Sequence, residues 1–209
     1  MIAIVDYRAG NLTSVAAAVD KLGFEGKVTS DPADIAAAER VIFPGVGAAE
    51  SAMANLHGMG LAGPLLHAIA SGKPFLGICI GFQLLFEYSA EDGGVDCLGA
   101  LQGRVVRFAD DLHEGDDEQA LKVPHMGWNH VTFTRRHPVW EGVPTDAEFY
   151  FVHSYHPIPI AEDVVGTTVY GIEFASAVAR HHLVAFQFHP EKSGRPGLRL
   201  LDNFCRWNP

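Results

Sequence analysis

Pro74-Phe75-Leu76-Gly77-Ile78-Cys79-Ile80-Gly81-Phe82-Gln83 is the stretch on which the fold turns. Residues 74–78 read as a short apolar strand and residues 82–88 as a helix, so Gly77-Ile78-Cys79-Ile80-Gly81 falls on the sharp turn between them. Such a turn needs neighbours without bulk, because the backbone folds back on itself and residue 79 takes an unusual conformation. The amino end of the following helix directs free N–H groups at the Cys79 sulfur and favours thiolate. A buried thiol at a strand end is the plain alternative.

Outward from this turn, the same alternation repeats. Ile2-Ala3-Ile4-Val5 is an apolar run ended by Asp6, followed by Leu12, Val15, Val19 and Leu22 at helical spacing with Gly23 as a stop. Val41-Ile42-Phe43 is a second run, closed by Pro44-Gly45-Val46-Gly47, and Leu61, Leu65, Leu66 and Ile69 precede Gly72 in another helical pattern. Strands alternating with helices predict a parallel sheet covered on both faces. Residues 103–108, 131–134, 148–152, 164–170 and 183–188 are strand-like with less helix between them, which predicts antiparallel or mixed pairing in the second half. A last helix is expected over residues 196–206. The reading is one α/β domain over residues 1–209: a mixed, mostly parallel central sheet flanked by helices, with extra antiparallel strands in the second half.

Composition bounds what such a domain does. A chain of 209 residues buries roughly 70% of its unfolded surface. Fifteen basic against twenty-five acidic residues give a net charge of −10, which argues against nucleic acid or an anionic membrane as partner. Six of the acids (Asp110, Asp111, Glu114, Asp116, Asp117, Glu118) fall in one short run, read as a solvated loop. Three cysteines without regular spacing make neither a disulfide framework nor a zinc site and fit a reducing compartment. The amino terminus lacks a signal peptide's basic flank and long apolar run, and residues 51–72 hold too many glycines and polar groups for a membrane span. A cytoplasmic protein is expected.

A cysteine nucleophile needs a base. Among eleven histidines, His189 is set apart by its context, Ala185-Phe186-Gln187-Phe188-His189-Pro190-Glu191. If this segment continues extended, residues 189 and 191 point to the same side, and Glu191 can hold one imidazole nitrogen while the other faces the thiol. An exposed strand end with an incidental ion pair is the alternative. Acyl chemistry also needs an oxyanion hole: the Ile80 N–H is one candidate donor, and the loop Pro44-Gly45-Val46-Gly47 the source of the other. Residues 58–63 match GxGxxG by letter but follow a helical stretch, so no dinucleotide site is read there. His181 with His182, His153 with His156, and His125 with His130 match no metal-ligand pattern. Neither a metal nor a cofactor is expected.

Taken together, Pro44–Gly47, Gly77–Gly81 with Gln83, and His189-Pro190-Glu191 resemble the class I (triad) glutamine amidotransferases, in the same order along the chain. Asp6-Tyr7 with Gly10-Asn11, Lys122-Val123-Pro124-His125-Met126-Gly127-Trp128-Asn129, Tyr150-Phe151-Val152-His153-Ser154-Tyr155 and residues 188–193 resemble, within that family, the glutaminase subunits of imidazole glycerol phosphate synthases. The resemblance implies that Cys79 attacks the side-chain amide of L-glutamine, His189 moves the protons and Glu191 orients His189. It implies that Gly47 and Ile80 bind the oxyanion while Gln83, Ser154 and Tyr155 hold the amino-acid end of the substrate. It further implies an oxyanion loop whose Val46–Gly47 peptide is misoriented until a partner engages. That partner would be a (β/α)8-barrel cyclase in a heterodimer, to which ammonia passes by a closed path in histidine biosynthesis. Asn11, Met126 and Trp128 are the interface candidates; an exposed Met and Trp suit docking, and a core role is the alternative. Ile80 and Phe82 stand where the family commonly has Leu and Met. The competing readings are a glutaminase serving another synthase, a non-catalytic subunit that only regulates its partner, and a stand-alone thiol hydrolase.

Overall fold

Each apolar run of the first half becomes a strand buried on both faces. The computed structural model describes residues 1–10, 12–113 and 120–209. The first half runs β1 (Ile2–Val5), α1 (Leu12–Lys21), β2 (Gly26–Thr29), α2 (Pro32–Ala37), β3 (Arg40–Phe43), α3 (Ala49–Gly58), α4 (Ala62–Ala70), β4 (Phe75–Ile78) and α5 (Ile80–Gln83). All residues of β1, β3 and β4 are buried, which is why they read as unbroken apolar runs rather than alternating ones. Helix α1 buries Val15, Ala18 and Val19 and stops where Gly23 takes φ +81°. Helix α2 begins on Asp31, whose side chain accepts from the Ala33 N–H, with Pro32 at the first turn.

The second half adds β5 (Tyr88–Ser89), β6 (Val95–Asp96), β7 (Gly103–Arg107), β8 (His125–His130), β9 (Thr132–Phe133), β10 (Glu148–His153), β11 (Tyr155–Pro159), β12 (Val164–Tyr170), β13 (Ile172–Arg180), β14 (Leu183–Phe186) and α6 (Gly194–Arg206). The central sheet has eight strands in the order β2-β1-β3-β4-β14-β13-β12-β9. β2, β1, β3, β4 and β14 run parallel, while β13, β12 and β9 continue the sheet antiparallel. Two smaller sheets among the described residues are β10-β8 and β11-β7-β5-β6. Strand residues alternate between the two faces. Leu76 and Ile78 of β4 join a core with α1 and α6 residues such as Val15, Val19, Leu201 and Phe204. Phe75 joins the opposite core with Ile35, Leu56 and Leu65 of α2, α3 and α4.

Four differences from the sequence reading have physical causes. The helix expected over residues 82–88 is instead the single turn Ile80–Gln83, because the chain is recaptured by β7: the Glu87 N–H donates to the Gly103 carbonyl, and Tyr88 and Ser89 pair with Arg104 and Val105. Strand β2 escaped notice because three of its four residues are exposed at the sheet edge. Strand β13 is rich in small residues, Ala175, Ser176, Ala177 and Ala179, and its place comes from pairing with β12 and β14 on either side. Strands β8 and β11, with Gly127 and the prolines 157 and 159, likewise carry weak strand propensity and are held by β10 and β7.

Residues 51–72 form most of α3 and α4, parted by Gly60 at φ +67°, so the GxGxxG letters sit between two helices. Among the described residues no helix is long and apolar enough to cross a membrane. Of the acidic run, Asp110 pairs with Arg107 at 2.8 Å on the surface, while Glu114, Asp116, Asp117 and Glu118 lie outside the described residues.

Candidate active site

Strands β4 and β14 are parallel neighbours in the middle of the sheet, with Ile78 opposite Phe186. Whatever follows them is delivered to the same carboxyl edge, where open α/β sheets bind ligands. Cys79 follows β4 directly, with φ +55° and ψ −112°. A non-glycine residue there carries strain of about 1–3 kcal/mol, and the surrounding contacts must hold it. They do: the Cys79 N–H donates to the Phe186 carbonyl at 2.8 Å, and the Cys79 carbonyl accepts from the N–H groups of Phe82 and Gln83. The flanking glycines are steric necessities. A Cβ on Gly81 would stand 1.9 Å from the Phe43 carbonyl oxygen, and one on Gly77 would press Leu85 and Ala185. Since α5 is one turn, its macrodipole is smaller than a longer helix would provide. What remains are the first-turn amides, which have no partner four residues back.

The segment after β14 turns sooner than an extended reading allows. Pro190–Lys192 forms one tight 3-10 turn, so Glu191 reaches His189 by folding back rather than by strand alternation. The turn is pinned from three sides. The His189 N–H donates to the Tyr150 carbonyl of β10, the Ser193 hydroxyl donates to the His189 carbonyl, and that hydroxyl accepts from the Tyr150 N–H. Gly197 lets α6 close over the turn, since a Cβ there would lie 2.0 Å from the Pro190 carbonyl oxygen. The outcome is a His189 Nδ1 to Glu191 Oε1 contact of 2.8 Å between two buried side chains. This leaves Nε2 as the ring nitrogen available to Cys79. Burial pushes the imidazole down, but Cys79 and then Glu191 outweigh it and raise His189 to about 10. The other thiols, Cys97 and Cys205, are pushed up to about 11 and about 12, chiefly by burial, and remain protonated.

Cys79 opens into a pocket of about 370 Å³, whose lining includes Gly47, Ile80, Gln83, Glu91, Ser154 and Tyr155. Sequence reading placed all of these here except Glu91. Gly47 takes φ +106° with open space around it, so the conformation, not crowding, requires glycine. The preceding residue is anchored by its Val46 N–H on the Ala9 carbonyl. Glu91 is the one carboxylate among the described lining residues; its Oε2 accepts from the Ala49 N–H, and burial, partly offset by that bond, raises its pKa. Tyr7 is wholly buried against Gly45, its hydroxyl without a hydrogen-bond partner among the described residues.

Behind the pocket lies a directed hydrogen-bond chain that fixes side-chain orientations without ambiguity. Gln83 Nε2 is within 2.9 Å of the Tyr155 carbonyl and so must be the nitrogen; it also donates to Gln187 Oε1 at 2.9 Å. Gln187 Nε2 is thereby turned to the Cys79 sulfur, 4.0 Å away. From the other side, His153 Nδ1 donates to the Tyr155 carbonyl at 2.8 Å, His125 Nδ1 donates to His153 Nε2 at 3.0 Å, and Asn129 Nδ2 donates to His125 Nε2 at 3.2 Å. Those imidazoles are neutral: burial lowers His125 to about 4 and His153 to about 3. Gln187 is therefore a residue that sequence reasoning passed over. The available signal was an amide between apolar residues just past a strand, which must find partners when buried.

Asn11 lies outside the described residues. Met126 and Trp128 stand on the same side of β8 and are 62% and 54% exposed, which settles their placement against the core alternative. Among the described residues no group of three His, Cys, Asp or Glu is arranged to hold a metal. His125, His153 and His156 instead pack with Phe108 and Phe174 in the core.

A family model for glutamine amidotransferase class-I matches residues 3–207. The imidazole glycerol phosphate synthase subunit HisH of Aromatoleum aromaticum is 53% identical, the match covering 100% of this chain and 99% of that one. The protein of the same name from Methylococcus capsulatus is 50% identical over 100% and 97%. Among solved structures, PurLQS from Thermotoga maritima superposes with a TM-score of 0.72 at 16% identity, covering 98% of this chain and 97% of that one. A glutamine amidotransferase, also from Thermotoga maritima, gives 0.60 at 14%, covering 98% and 82%; at such identities these two bear on the fold alone. By sequence and by fold, the chain belongs to the class I glutamine amidotransferases.

Proposed function

We propose that this chain is the glutaminase subunit of an imidazole glycerol phosphate synthase, acting in histidine biosynthesis as a single domain in the cytoplasm. The observation that carries the chemistry is that Cys79, which opens into the pocket, and the buried His189–Glu191 pair that interacts with it follow adjacent strands. The near 50% identity to HisH subunits over the full length supports the choice of synthase.

In the reading proposed, glutamine enters with its α-ammonium toward the Glu91 carboxylate and the Gln83 side-chain oxygen, and with its chain along Ser154 and Tyr155. The Cys79 thiolate attacks the side-chain amide carbon. Charge develops on the amide oxygen and is met by backbone N–H groups of Gly47 and Ile80. Imidazolium His189 gives its proton to the departing nitrogen, the C–N bond breaks, and a γ-glutamyl thioester and ammonia result. His189, now neutral, takes a proton from water as the oxygen attacks the thioester. Glutamate leaves, and the thiolate and imidazolium are restored. Glu191 holds Nδ1–H throughout, so that Nε2 faces the sulfur.

Ammonia is consumed by a (β/α)8-barrel cyclase bound as a heterodimer, with Met126 and Trp128 in the contact. The test is glutamate release by the purified chain, alone and with the cyclase and its nucleotide ligand. A weak rate that rises strongly with the liganded partner is expected. No release under either condition would overturn the proposal.

A further inference from the structure

We propose that Gln187 is a positioning residue for the Cys79 thiolate, its side-chain amide supplying an N–H to the sulfur from an orientation dictated by Gln83 and the Tyr155 carbonyl. This rests on the glutaminase reading and adds a residue to it.

Gln187 is fully buried at the end of β14. A buried carboxamide left without partners costs about 1–3 kcal/mol, so its contacts govern how it sits. Its Oε1 accepts from Gln83 Nε2 at 2.9 Å, its backbone N–H donates to the Ser176 carbonyl at 2.9 Å, and its Nε2 lies 4.0 Å from Cys79 Sγ. The amide cannot flip without setting Oε1 against the sulfur and Nε2 against the Gln83 nitrogen. Gln83 cannot flip either, because its Nε2 is also held by the Tyr155 carbonyl. That carbonyl is itself fixed by neutral His153 from the far side.

At 4.0 Å the contact is at the long end for N–H···S and shortens as the sulfur gains charge. A donor of this kind favours thiolate over thiol and fixes the side on which the lone pair lies. His189 supplies a mobile proton to the sulfur; Gln187 supplies one that does not transfer. The same chain joins the nucleophile to Tyr155 in the wall of the substrate pocket.

The experiment compares Gln187→Met and Gln187→Glu with the parent chain, alone and with the cyclase. The first is close in shape and lacks the donor; the second keeps the acceptor for Gln83 and removes the N–H. The readout is the pH midpoint of iodoacetamide labelling at Cys79, followed on the Cys79 peptide, with melting temperature as the control for folding. Both variants are expected to raise the midpoint by about one pH unit and to lower kcat about tenfold or more while KM changes by less than about twofold. Parent-like midpoints and kcat in both, or a shift in Gln187→Glu alone, would overturn the proposal. Labelling needs no turnover, so absence of glutamate release by the parent with its cyclase would sink the glutaminase reading without deciding this one.

Discussion

The backbone N–H of Cys79 donates to the carbonyl of Phe186 at 2.8 Å, one residue beyond the last paired position of β4 and β14. This bond makes the turn bearing the sulfur and the strand leading to His189 one rigid piece. The two side chains therefore keep their relation through the sheet rather than through loops, which suits chemistry that tolerates errors of only about half an ångström.

Replacing Cys79 with Ser is expected to reduce glutamine-dependent synthesis by the complex with its cyclase by a factor of about a thousand or more, while synthesis from ammonium salts stays near the parent rate. Comparing the two nitrogen sources on one folded preparation checks this. Loss of both activities would mean that Cys79 serves the assembly rather than amide cleavage.

Gly81→Ala probes the geometry of the turn. The new Cβ would meet the Phe43 carbonyl oxygen at 1.9 Å, and backbone cannot rotate away as a side chain can. Either β3 or the elbow must move, at a cost of about 1–3 kcal/mol. Because a displacement of about 1 Å at a reacting centre costs about a hundredfold in rate, kcat is expected to fall by that order with the protein still folded. Denaturant titration beside glutaminase assays would separate the two effects, and parent-like kcat would contradict the steric argument.

The parts of this site that were legible in the sequence share a property: each carries its own local backbone reason. Glycines on both sides of Cys79 announce a turn without room for side chains, and Pro190 between His189 and Glu191 announces a fixed φ, although the segment read as extended is a 3-10 turn. Gln187 and Glu91 carry no such mark. Gln187 is one polar residue just past an apolar strand, and Glu91 is tied to α3 across the fold by the Ala49 N–H. The fold was legible to the same degree. Fully buried parallel strands declare themselves by composition, whereas β2 and β13 depend on neighbours that no local pattern encodes. The excess helix read over residues 82–88 arose in the same way, from a capture by β7 that is a long-range event.

Glu191→Gln tests the electrostatics of the pair. Glu191 helps raise His189 to about 10, so the carboxamide removes part of that rise and lets the alkaline limb of the kcat profile move to lower pH. The limb belongs to the Cys79–His189 pair as a unit, not to one residue. A carboxamide can also present N–H to Nδ1 and select the wrong tautomer, so kcat is expected to fall by about two to four orders of magnitude. A parent-like profile measured from pH 6 to about 10 would exclude Glu191 from this role.

Acid stability should report the buried imidazoles behind the pocket. Burial lowers His125 to about 4 and His153 to about 3, so these two are neutral when folded and take up protons on unfolding; burial lowers His156 in the same direction. A base whose folded pKa is depressed contributes stability above its unfolded value, near 6.5, and loses it as pH falls from there toward the folded value. His189 behaves oppositely: being raised, it loses its contribution as pH climbs from near 6.5 toward about 10, so it stays constant across the acid window. The free energy of unfolding should therefore decline steeply between about pH 6.5 and 4. His156→Phe should flatten that decline, because Phe108 already packs against the ring at 4.7 Å and an aromatic carbon ring fits there without a proton to bind. Removing one site of lowered pKa reduces the slope by at most about 1.4 kcal/mol per pH unit. Chemical denaturation at half-unit pH intervals would show it. An unchanged slope in a folded variant would mean that His156 titrates in the native state, against the burial that surrounds it.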